Sequence, residues 1–451
     1  MDLSRFDKYF RYVISISIVI AVLTYWRFRS IELPIVYSYV AQQSVVQVIP
    51  LHELLTNRSL SWNFFGLIDR LISPHSVFLL KVVAGILVVL DLVMLSKLVG
   101  HFLGQKFWSF IAVFLVALSP FAVLAATTGG PAAIAVAFGL LFLMALYRQE
   151  YIFAGIVSAL GFAANLPGLI MFLIVILALL QDQRRKEGLV GHLLLSSAVF
   201  ILTALIIYLY SLLKGYPGVF FLPLGETDVA WTFVGVLPLI FVNLLNFGGI
   251  VYLVVGKRYE VYSSHFHTLM LWIASVAFCI AQRTTLNLFF AITVSSILAM
   301  IFLHEFTLKW QLKIVSVDTF LLLFVTIFLF TDLFANNRFV QDRVLADSIQ
   351  RSETVNEVVD TILSKARGAR VVSNFVPAEL AVRIGSPVVE AQGNLMAMTD
   401  IQDVSSQTVF VTRRKSEVYH LPSRCKLLFS TSYLESQKGY TVQVIEYGVD
   451  K

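Results

Sequence analysis

The sequence predicts a polytopic α-helical membrane protein with a C-terminal α/β domain outside the membrane, and three observations lead to this prediction. Of the 451 residues, 58% are hydrophobic and only 14% are charged, whereas soluble proteins are about 45–50% apolar and about 25% charged. The mean hydropathy is +0.81. Charged residues concentrate after residue 335, where thirteen of the 28 acidic and fourteen of the 34 basic residues lie. A single core could not bury this many apolar side chains, so most of the chain before residue 336 must face lipid.

The membrane domain is predicted over residues 1–335. A helix needs about 20 mostly apolar residues to cross a bilayer, and shorter ones occur inside a bundle. On that rule we predict about eleven membrane helices. They are residues 11–27, 77–96, 107–126, 131–147, 151–165, 167–181, 189–212, 230–255, 264–281, 284–303 and 316–335.

The loop charges predict the orientation. With a cytoplasmic N-terminus, the loops and helix ends on the cytoplasmic side carry thirteen Lys and Arg residues, and those on the other side carry seven, up to residue 335. This is the asymmetry that the positive-inside rule requires. We therefore expect the Arg184-Arg185-Lys186 loop in the cytoplasm and the C-terminal domain outside.

The first outer loop, residues 28–76, is long and rich in aromatic residues. Within it, residues 51–72 have the pattern of an amphipathic helix lying at the membrane surface, with Trp62, Phe64 and Phe65 available to enter the headgroup region.

The tail, residues 336–451, has a different pattern of apolar residues from the membrane domain. Residues 352–365 have helical spacing of apolar residues, and short runs of alternating or β-branched residues follow between Gly, Pro and Ser. These predicted strands are residues 370–373, 387–390, 408–412, 426–430 and 440–447.

Several function classes are disfavoured by the same sequence. Cys279 and Cys425 form neither a disulfide framework nor a CxxC metal site. The net charge of +6 is explained by orientation, so we expect no nucleic-acid partner. Asp91 is predicted toward the inner end of the second helix, close to an interface. His304, Glu305, Asp318 and Asp332 are likewise predicted near an interface. None of these residues therefore marks a proton or ion path, and a transport function is disfavoured.

Two sets of residues carry a resemblance to a known family. Leu118-Ser119-Pro120 ends the predicted third helix, and the tail contains a helix followed by Ala369–Asn374, Pro377–Ala381 and Lys438–Glu446. Together with a long first outer loop, these segments resemble the glycosyltransferase-C superfamily, which includes the protein mannosyltransferases and aminoarabinose transferases. The resemblance implies a membrane enzyme that moves a sugar from a polyprenyl phosphate to an acceptor outside the membrane.

The resemblance also implies site residues. Glu32 matches the position of the carboxylate that serves as general base after the first helix. Arg283 matches an arginine that faces the carrier phosphate, and a divalent metal ion is a possible cofactor. An acid that usually opens the fourth helix is absent, because residues 129–133 are Gly-Gly-Pro-Ala-Ala.

Two interpretations remain open. In the first, the chain is a glycosyltransferase that binds membrane lipid and a polyprenyl-phosphate sugar, with Glu32 as base. In the second, it is a pseudoenzyme, a non-catalytic scaffold or assembly subunit that binds partner proteins of a membrane complex. The resemblance and the short inner loops place either one in a bacterial inner membrane, with a periplasmic tail.

Overall fold

The computed structural model describes residues 18–26, 48–49, 77–104, 106–127, 132–164, 166–181, 189–213, 236–256, 259–281, 284–309, 326–327, 330–331, 344–390, 408–415, 425–435 and 438–447. The chain divides into two compact units. The first consists of apolar helices, and the second contains a six-stranded sheet with two helices.

The helices of the first unit follow the predicted apolar segments closely. They are α1 (described over residues 18–26), α2 (Val77–Leu103), α3 (Lys106–Ala117), α4 (Pro120–Thr127), α5 (Ala132–Tyr147), α6 (Tyr151–Ala163), α7 (Gly168–Gln181), α8 (Leu189–Leu213), α9 (Leu237–Val255), α10 (Tyr259–Ala281) and α11 (Thr285–Lys309).

Four described helices are long and apolar enough to cross a membrane, and the number is five if the bent pair α3 and α4 counts as one span. The four are residues 78–103, 189–209, 237–255 and 286–306. The predicted number of eleven membrane helices is therefore not confirmed. Helices α5, α6 and α7 are shorter because turns interrupt the apolar sequence between them, and at 1.5 Å per residue they extend only about 20–24 Å.

Helix α11 lies at the centre of the first unit. It is apolar on all sides, almost wholly buried, and packed against α3, α4, α5, α9 and α10. A helix that is hydrophobic all round is expected in such a position. Two glycines allow close contact with it: a Cβ on Gly139 would overlap the ring of Phe290, and one on Gly249 would overlap the ring of Phe302.

Helix α8 has the opposite character. One side of it exposes apolar side chains along the described length, including Val190, Leu194, Ile201 and Ile206, while Phe200 and Ile207 are buried. An exposed apolar surface of this length suits contact with lipid rather than with water. The apolar helices thus support an integral membrane protein.

The second unit is built on a mixed sheet. Its elements are β1 (Val48–Ile49), α12 (Val344–Lys365), β2 (Arg370–Ser373), α13 (Pro377–Ile384), β3 (Val388–Glu390), β4 (Thr408–Lys415), β5 (Cys425–Glu435) and β6 (Lys438–Tyr447). The strand order is β1-β3-β2-β4-β6-β5. The first four strands are parallel, and β6 is antiparallel to both β4 and β5.

One face of this sheet packs against α12 and α13. Val355 and Val358 of α12 and Leu380 of α13 form a core with Val409 and Val444 of the strands. An ion pair joins the two helices beside this core. Glu379, only 1% exposed, accepts a hydrogen bond from Arg383 at 2.8 Å and lies 3.3 Å from Arg351.

The structure departs from the sequence prediction in several elements. Residues 107–126, predicted as one helix, form α3 and α4 with a 66° bend between them. The tail helix begins at Val344 rather than at residue 352, and α13 was not predicted as a helix. Strand β1 comes from the first outer loop, where the sequence predicted no strand. Of the predicted eleventh helix, only residues 326–327 and 330–331 are described, and these are helical.

Candidate functional site

Aromatic and histidine side chains identify which helix ends lie together at one end of the bundle. The ring centroids of Phe102, at the end of α2, and Tyr147, at the end of α5, are 3.9 Å apart. The Tyr147 hydroxyl is 3.1 Å from Nδ1 of His265 in the first part of α10. Trp108, near the start of α3, contacts His304, near the end of α11, at 5.7 Å between ring centroids. We call this the aromatic end of the bundle.

The opposite end follows from the antiparallel path of these helices, and we call it the candidate-site end. Helix α3 ends there, while α5 and α11 begin there. The hydroxyl of Tyr25, next to the end of the described part of α1, donates a 3.1 Å hydrogen bond to the carbonyl oxygen of Ala117, the last residue of α3. Helix α1 therefore also finishes at the candidate-site end.

All the site residues predicted from the sequence lie outside the described residues. These are Glu32, Arg283, Trp62, Phe64 and Phe65. Their chain connections are nevertheless fixed by the sequence. Glu32 follows the last described residue of α1, Trp26, by six positions, and Arg283 precedes the first residue of α11 by two positions. Both residues are thus joined covalently to helix termini at the candidate-site end.

Ser119 and Pro120 create the bend at this end. Ser119 acts as the N-cap of α4, because its Oγ accepts a hydrogen bond from the backbone N–H of Ala122 at 3.4 Å. The same hydroxyl donates to the carbonyl oxygen of Val116 at 2.6 Å. Proline occupies the first helical position, where no donor is needed. The Leu118-Ser119-Pro120 motif therefore ends one helix and begins another.

The head of α5 contains no acid. Ala132 and Ala133, which open it, are almost fully buried. In the described ranges 18–26, 117–127, 132–136 and 284–290 of the candidate-site end, neither Asp nor Glu occurs. The described part of this end offers hydroxyl and amide groups but no general base, and Glu32 as base stays a prediction.

The start of α11 is capped by Thr284. Its Oγ1 accepts a hydrogen bond from the backbone N–H of Asn287 at 3.2 Å. Its carbonyl oxygen accepts one from Leu288 at 3.0 Å. The N-terminus of this central helix thus carries its partial positive charge at the candidate-site end. Arg283 comes directly before the cap in the sequence.

A metal site is not found in the described residues. Within those parts of the chain, no group of three or more His, Cys, Asp or Glu could hold a metal ion. The divalent metal implied by the resemblance would involve Glu32, which lies outside the described residues, and it stays a prediction.

Polar contacts between helices form a second feature, in the interior of the bundle. Asn243 of α9 accepts hydrogen bonds from Nε1 of Trp272 at 2.6 Å and from Oγ of Ser295 at 3.1 Å. Asn246 donates to the carbonyl oxygen of Ser295 at 3.1 Å. These bonds join α9, α10 and α11, which is the packing role that amide side chains have in membrane bundles.

The position of Asp91 differs from the prediction. Helix α2 continues to Leu103, so Asp91 lies near its middle rather than toward an end. The residue is 3% exposed, on the same helix face as Val88 and Leu95. The signal that could have corrected the prediction is the run Leu98, Val99, Phe102 and Leu103, which continues the apolar pattern past residue 96.

Two solved structures have the same fold along almost the whole chain. The crystal structure of ArnT from Cupriavidus metallidurans bound to undecaprenyl phosphate matches with a TM-score of 0.59 and 12% sequence identity, covering 95% of this chain and 97% of the other. The apo state of the same protein matches with a TM-score of 0.56 and 12% identity, covering 96% and 98%. No protein-family model matches the chain, and no curated protein matches it by sequence.

ArnT is an aminoarabinose transferase of the glycosyltransferase-C superfamily. The resemblance predicted from the sequence is thereby confirmed for the fold. At 12% identity, the match is evidence for a shared fold alone.

Proposed function

We propose that this protein transfers a sugar from a polyprenyl-phosphate carrier to an acceptor at the outer face of the membrane. The observation that carries the proposal is the match to ArnT over both the helices and the tail, with one of the two ArnT structures bound to undecaprenyl phosphate. Because the fold is shared over almost the whole chain, including the tail, we expect this protein to bind the same kind of ligand, a polyprenyl phosphate. A function argued from fold is an analogy, so the site residues must be tested directly.

The positive groups predicted at the candidate-site end would attract the negative phosphate of such a ligand. The N-terminus of α11 and Arg283 directly before it both favour a phosphate group. In the reaction we propose, Glu32 removes a proton from the acceptor hydroxyl or amine, whose oxygen or nitrogen bonds to the anomeric carbon of the sugar. The bond between that carbon and the phosphate oxygen breaks, and the polyprenyl phosphate leaves with the electron pair. Arg283 stabilises the negative charge of the leaving phosphate. A divalent cation held by Glu32 would add to this stabilisation.

Binding of the carrier lipid tests the phosphate role. In nanodiscs, wild-type protein should bind undecaprenyl phosphate, and Arg283→Ala should weaken binding by at least tenfold, as expected for a charged contact worth about 1.5–3 kcal/mol. Arg148→Ala is the matched control, since Arg148 is exposed at the aromatic end. Equal affinities for the two variants would argue against a phosphate site beside α11.

Turnover tests the base. With a polyprenyl-phosphate sugar and membrane acceptors, Glu32→Gln should lower the rate about 10²–10⁴-fold. Glu150→Gln, which changes an exposed acid at the aromatic end, should leave it unchanged. A Glu32→Gln variant with full activity would remove Glu32 from the mechanism.

The proposal also requires the predicted orientation in a bacterial inner membrane, with the N-terminus cytoplasmic and the tail periplasmic. Single cysteines replacing Arg185 and Ser405 should react with a membrane-impermeant reagent in intact cells, after outer-membrane permeabilisation, only at position 405. Labelling at position 185 would overturn this orientation.

A non-catalytic scaffold is the second candidate function, and the buried Ala132 and Ala133 at the head of α5 favour it. If the chain is a scaffold, Glu32→Gln and Arg283→Ala should leave its function in cells intact. Replacing Trp62, Phe64 and Phe65 by serine should then release partner proteins of the complex.

A further inference from the structure

Helix α10 is interrupted at His265, in its first part. The backbone angles φ and ψ of this residue are −116° and 17°, whereas helical residues have values of about −63° and −42°. Neither proline nor glycine occurs between Tyr259 and Thr268, so neither of the usual helix-breaking residues causes the interruption. A residue in this sparsely populated region of backbone angles persists where its surroundings hold it. The contacts of His265 with other side chains are therefore important.

The hydroxyl group of Tyr147, at the end of α5, connects the two sides of the interruption. It lies 3.1 Å from Nδ1 of His265 and 2.8 Å from Oγ1 of Thr268, which is buried about one turn further along α10. A tyrosine hydroxyl has one proton, so it donates to one of these atoms and accepts from the other. When the imidazole is neutral and Nδ1 carries no proton, Tyr147 donates to His265 and accepts from Thr268. We call these three residues the α10 clasp.

Protonation of His265 would disturb the clasp in two ways. Both ring nitrogens of a charged imidazole are donors, so Nδ1 could no longer accept the proton of Tyr147. The charge would also lie close enough to His304 of α11 for the two side chains to interact electrostatically. Two protonated imidazoles repel each other, and a partly buried charge loses hydration. Acid should therefore weaken the contact between α10 and Tyr147.

The helices around α10 carry the other groups that could affect this response. Helices α5, α7, α9 and α11 pack against α10, and α2 reaches it through the ring of Phe102. The range of α7 contains no titratable residue. The titratable or charged residues toward the aromatic end of the other helices are Lys97 and His101 of α2, Arg148 and Glu150 after α5, Tyr252 of α9, His304, Glu305 and Lys309 of α11, and Tyr259, Glu260, Tyr262 and His267 of α10 itself.

Among these groups, His304 interacts electrostatically with His265, and Glu305 interacts with His304. The carboxylate of Glu305 reduces the repulsion between the two imidazoles. The response to acid is thus set mainly by His265 and His304.

We propose that the α10 clasp is a pH-sensitive switch, in which Tyr147 holds α10 in its interrupted form at neutral pH and protonation of His265 releases the first part of the helix. Histidine is the side chain whose charge ordinarily changes between about pH 5 and pH 8. In the predicted orientation the aromatic end faces the cytoplasm, so the switch would respond to cytoplasmic pH. The proposal does not rest on sugar transfer, and its tests need no substrate.

Hydrogen exchange of the full-length protein in nanodiscs tests the switch. After correction for the intrinsic effect of pH, the amides of residues 261–268 should exchange at least about tenfold faster at about pH 5.5 than at about pH 7.5. His265→Gln keeps a polar side chain that does not titrate, and its exchange should be the same at both pH values. His192→Gln, near the start of α8, is the matched control and should respond as wild type does. A response that persists in His265→Gln, or none in wild type, would overturn the proposal.

A second pair of variants tests the hydroxyl group. Tyr147→Phe removes the clasp, so the same amides should exchange fast at both pH values. Tyr208→Phe, which changes an exposed tyrosine of α8, should keep the wild-type response. If Tyr147→Phe keeps that response, the hydroxyl does not hold α10. If this variant does not fold, the comparison of wild type with His265→Gln still decides the matter.

A distance measurement distinguishes release of the helix from general acid destabilisation. Spin labels are placed on cysteines replacing Ser263, in the first part of α10, and Arg148, next to Tyr147, after Cys279 and Cys425 are changed to serine. Acidification should shift or broaden the distance distribution, and the same change of pH should leave it unaltered when His265→Gln is added. An unaltered distribution without His265→Gln would overturn the release of α10. Faster exchange throughout the bundle at low pH would also overturn the proposal, because the acid effect would then not be specific to the clasp.

Discussion

The helical bundle and the tail domain satisfy their buried polar groups in different ways. In the bundle, buried hydroxyls return hydrogen bonds to carbonyl oxygens of their own helix, as Ser158 does to Ala154 at 2.7 Å and Thr293 does to Phe289 at 2.7 Å. In the tail, the carboxylate of Glu379 is buried and is held by two arginines.

The difference reflects the solvent around each unit. Lipid cannot hydrate a polar group, so the hydroxyls of Ser158 and Thr293 bond to carbonyl oxygens of their own helix, and that of Ser295 bonds to Asn243 of a neighbouring helix. The tail can bury Glu379 because water reaches part of Arg383, which is 20% exposed and also bonds Ser352. The two units should therefore respond differently to substitution: the tail through charge, and the bundle through packing and shape.

The largest expected effect is in the tail. Glu379→Ala leaves two arginines without their shared carboxylate and should destabilise the contact between α12 and α13 by about 3–5 kcal/mol. Hydrogen exchange of the backbone amides of β2 and α12 in the full-length protein measures this loss. Glu353→Ala, at an exposed position of α12, is the control and should leave exchange unchanged. Equal protection in Glu379→Ala and wild type would show that the ion pair does not hold the helices together.

The next effect is in the packing of the bundle. Gly139→Ala places a methyl group against the ring of Phe290 and should cost about 1–3 kcal/mol. Thermal unfolding in detergent measures the change. Gly248→Ala has nothing within 4 Å of the new carbon and should be neutral or stabilising, because Ala is the better helix former. A Gly139→Ala variant as stable as Gly248→Ala would mean that Phe290 can move aside freely.

A smaller effect is expected from the polar contacts of the bundle. Asn243→Leu removes the acceptor of both Trp272 and Ser295 and should cost about 1–2 kcal/mol, within the range of single hydrogen bonds between membrane helices. A double-mutant cycle with Trp272→Phe, followed by thermal unfolding, isolates the Asn243–Trp272 bond. Additive losses would indicate that the two side chains are not energetically coupled.

The smallest expected effect concerns the reactivity of the two cysteine thiols. Burial raises the pKa of the Cys425 thiol above its ordinary value. In a Cys279→Ser background, iodoacetamide should therefore modify Cys425 with a pH midpoint above the value of about 8.5 for a free cysteine. Because the folded protein holds this proton more tightly, the thiol favours folding at lower pH, and its contribution is lost as the pH rises past the unfolded pKa. A midpoint at or below that of free cysteine would contradict the assignment. Cys279, 6% exposed in the bundle, should react only after unfolding.

Local patterns predicted most of the helices and strands. Helices α5 and α7 match their predicted spans within one residue, because Gly-Gly-Pro and Asn-Leu-Pro separate them from their neighbours. Strand β2 was predicted at its observed bounds, since a β-branched pair is flanked by turn residues. The predicted span 107–126 runs past the break at Ser119 because the residues on both sides are equally apolar, although the Leu118-Ser119-Pro120 motif marks a helix end.

Contacts between distant residues could not be predicted in this way. Tyr147 and His265 meet at the aromatic end although they are far apart in the sequence, and no periodicity links them. The same applies to Tyr25 and Ala117. For the candidate site, the sequence supplied residue types through a resemblance, but which helix termini meet at one end of the bundle required the structure.

Strand β1 has a consequence for the order of folding. Val48 pairs with Val388, more than 300 residues later in the chain, and Ile49 pairs with Val389. At a synthesis rate of about 5–20 residues per second, roughly 20–70 seconds pass between the synthesis of β1 and that of its partner strand β3. During this time helices α2 to α11 are synthesised and begin to insert. The edge of the sheet can therefore close only after the last helix has emerged, and its pairing would report that synthesis of the membrane domain is finished.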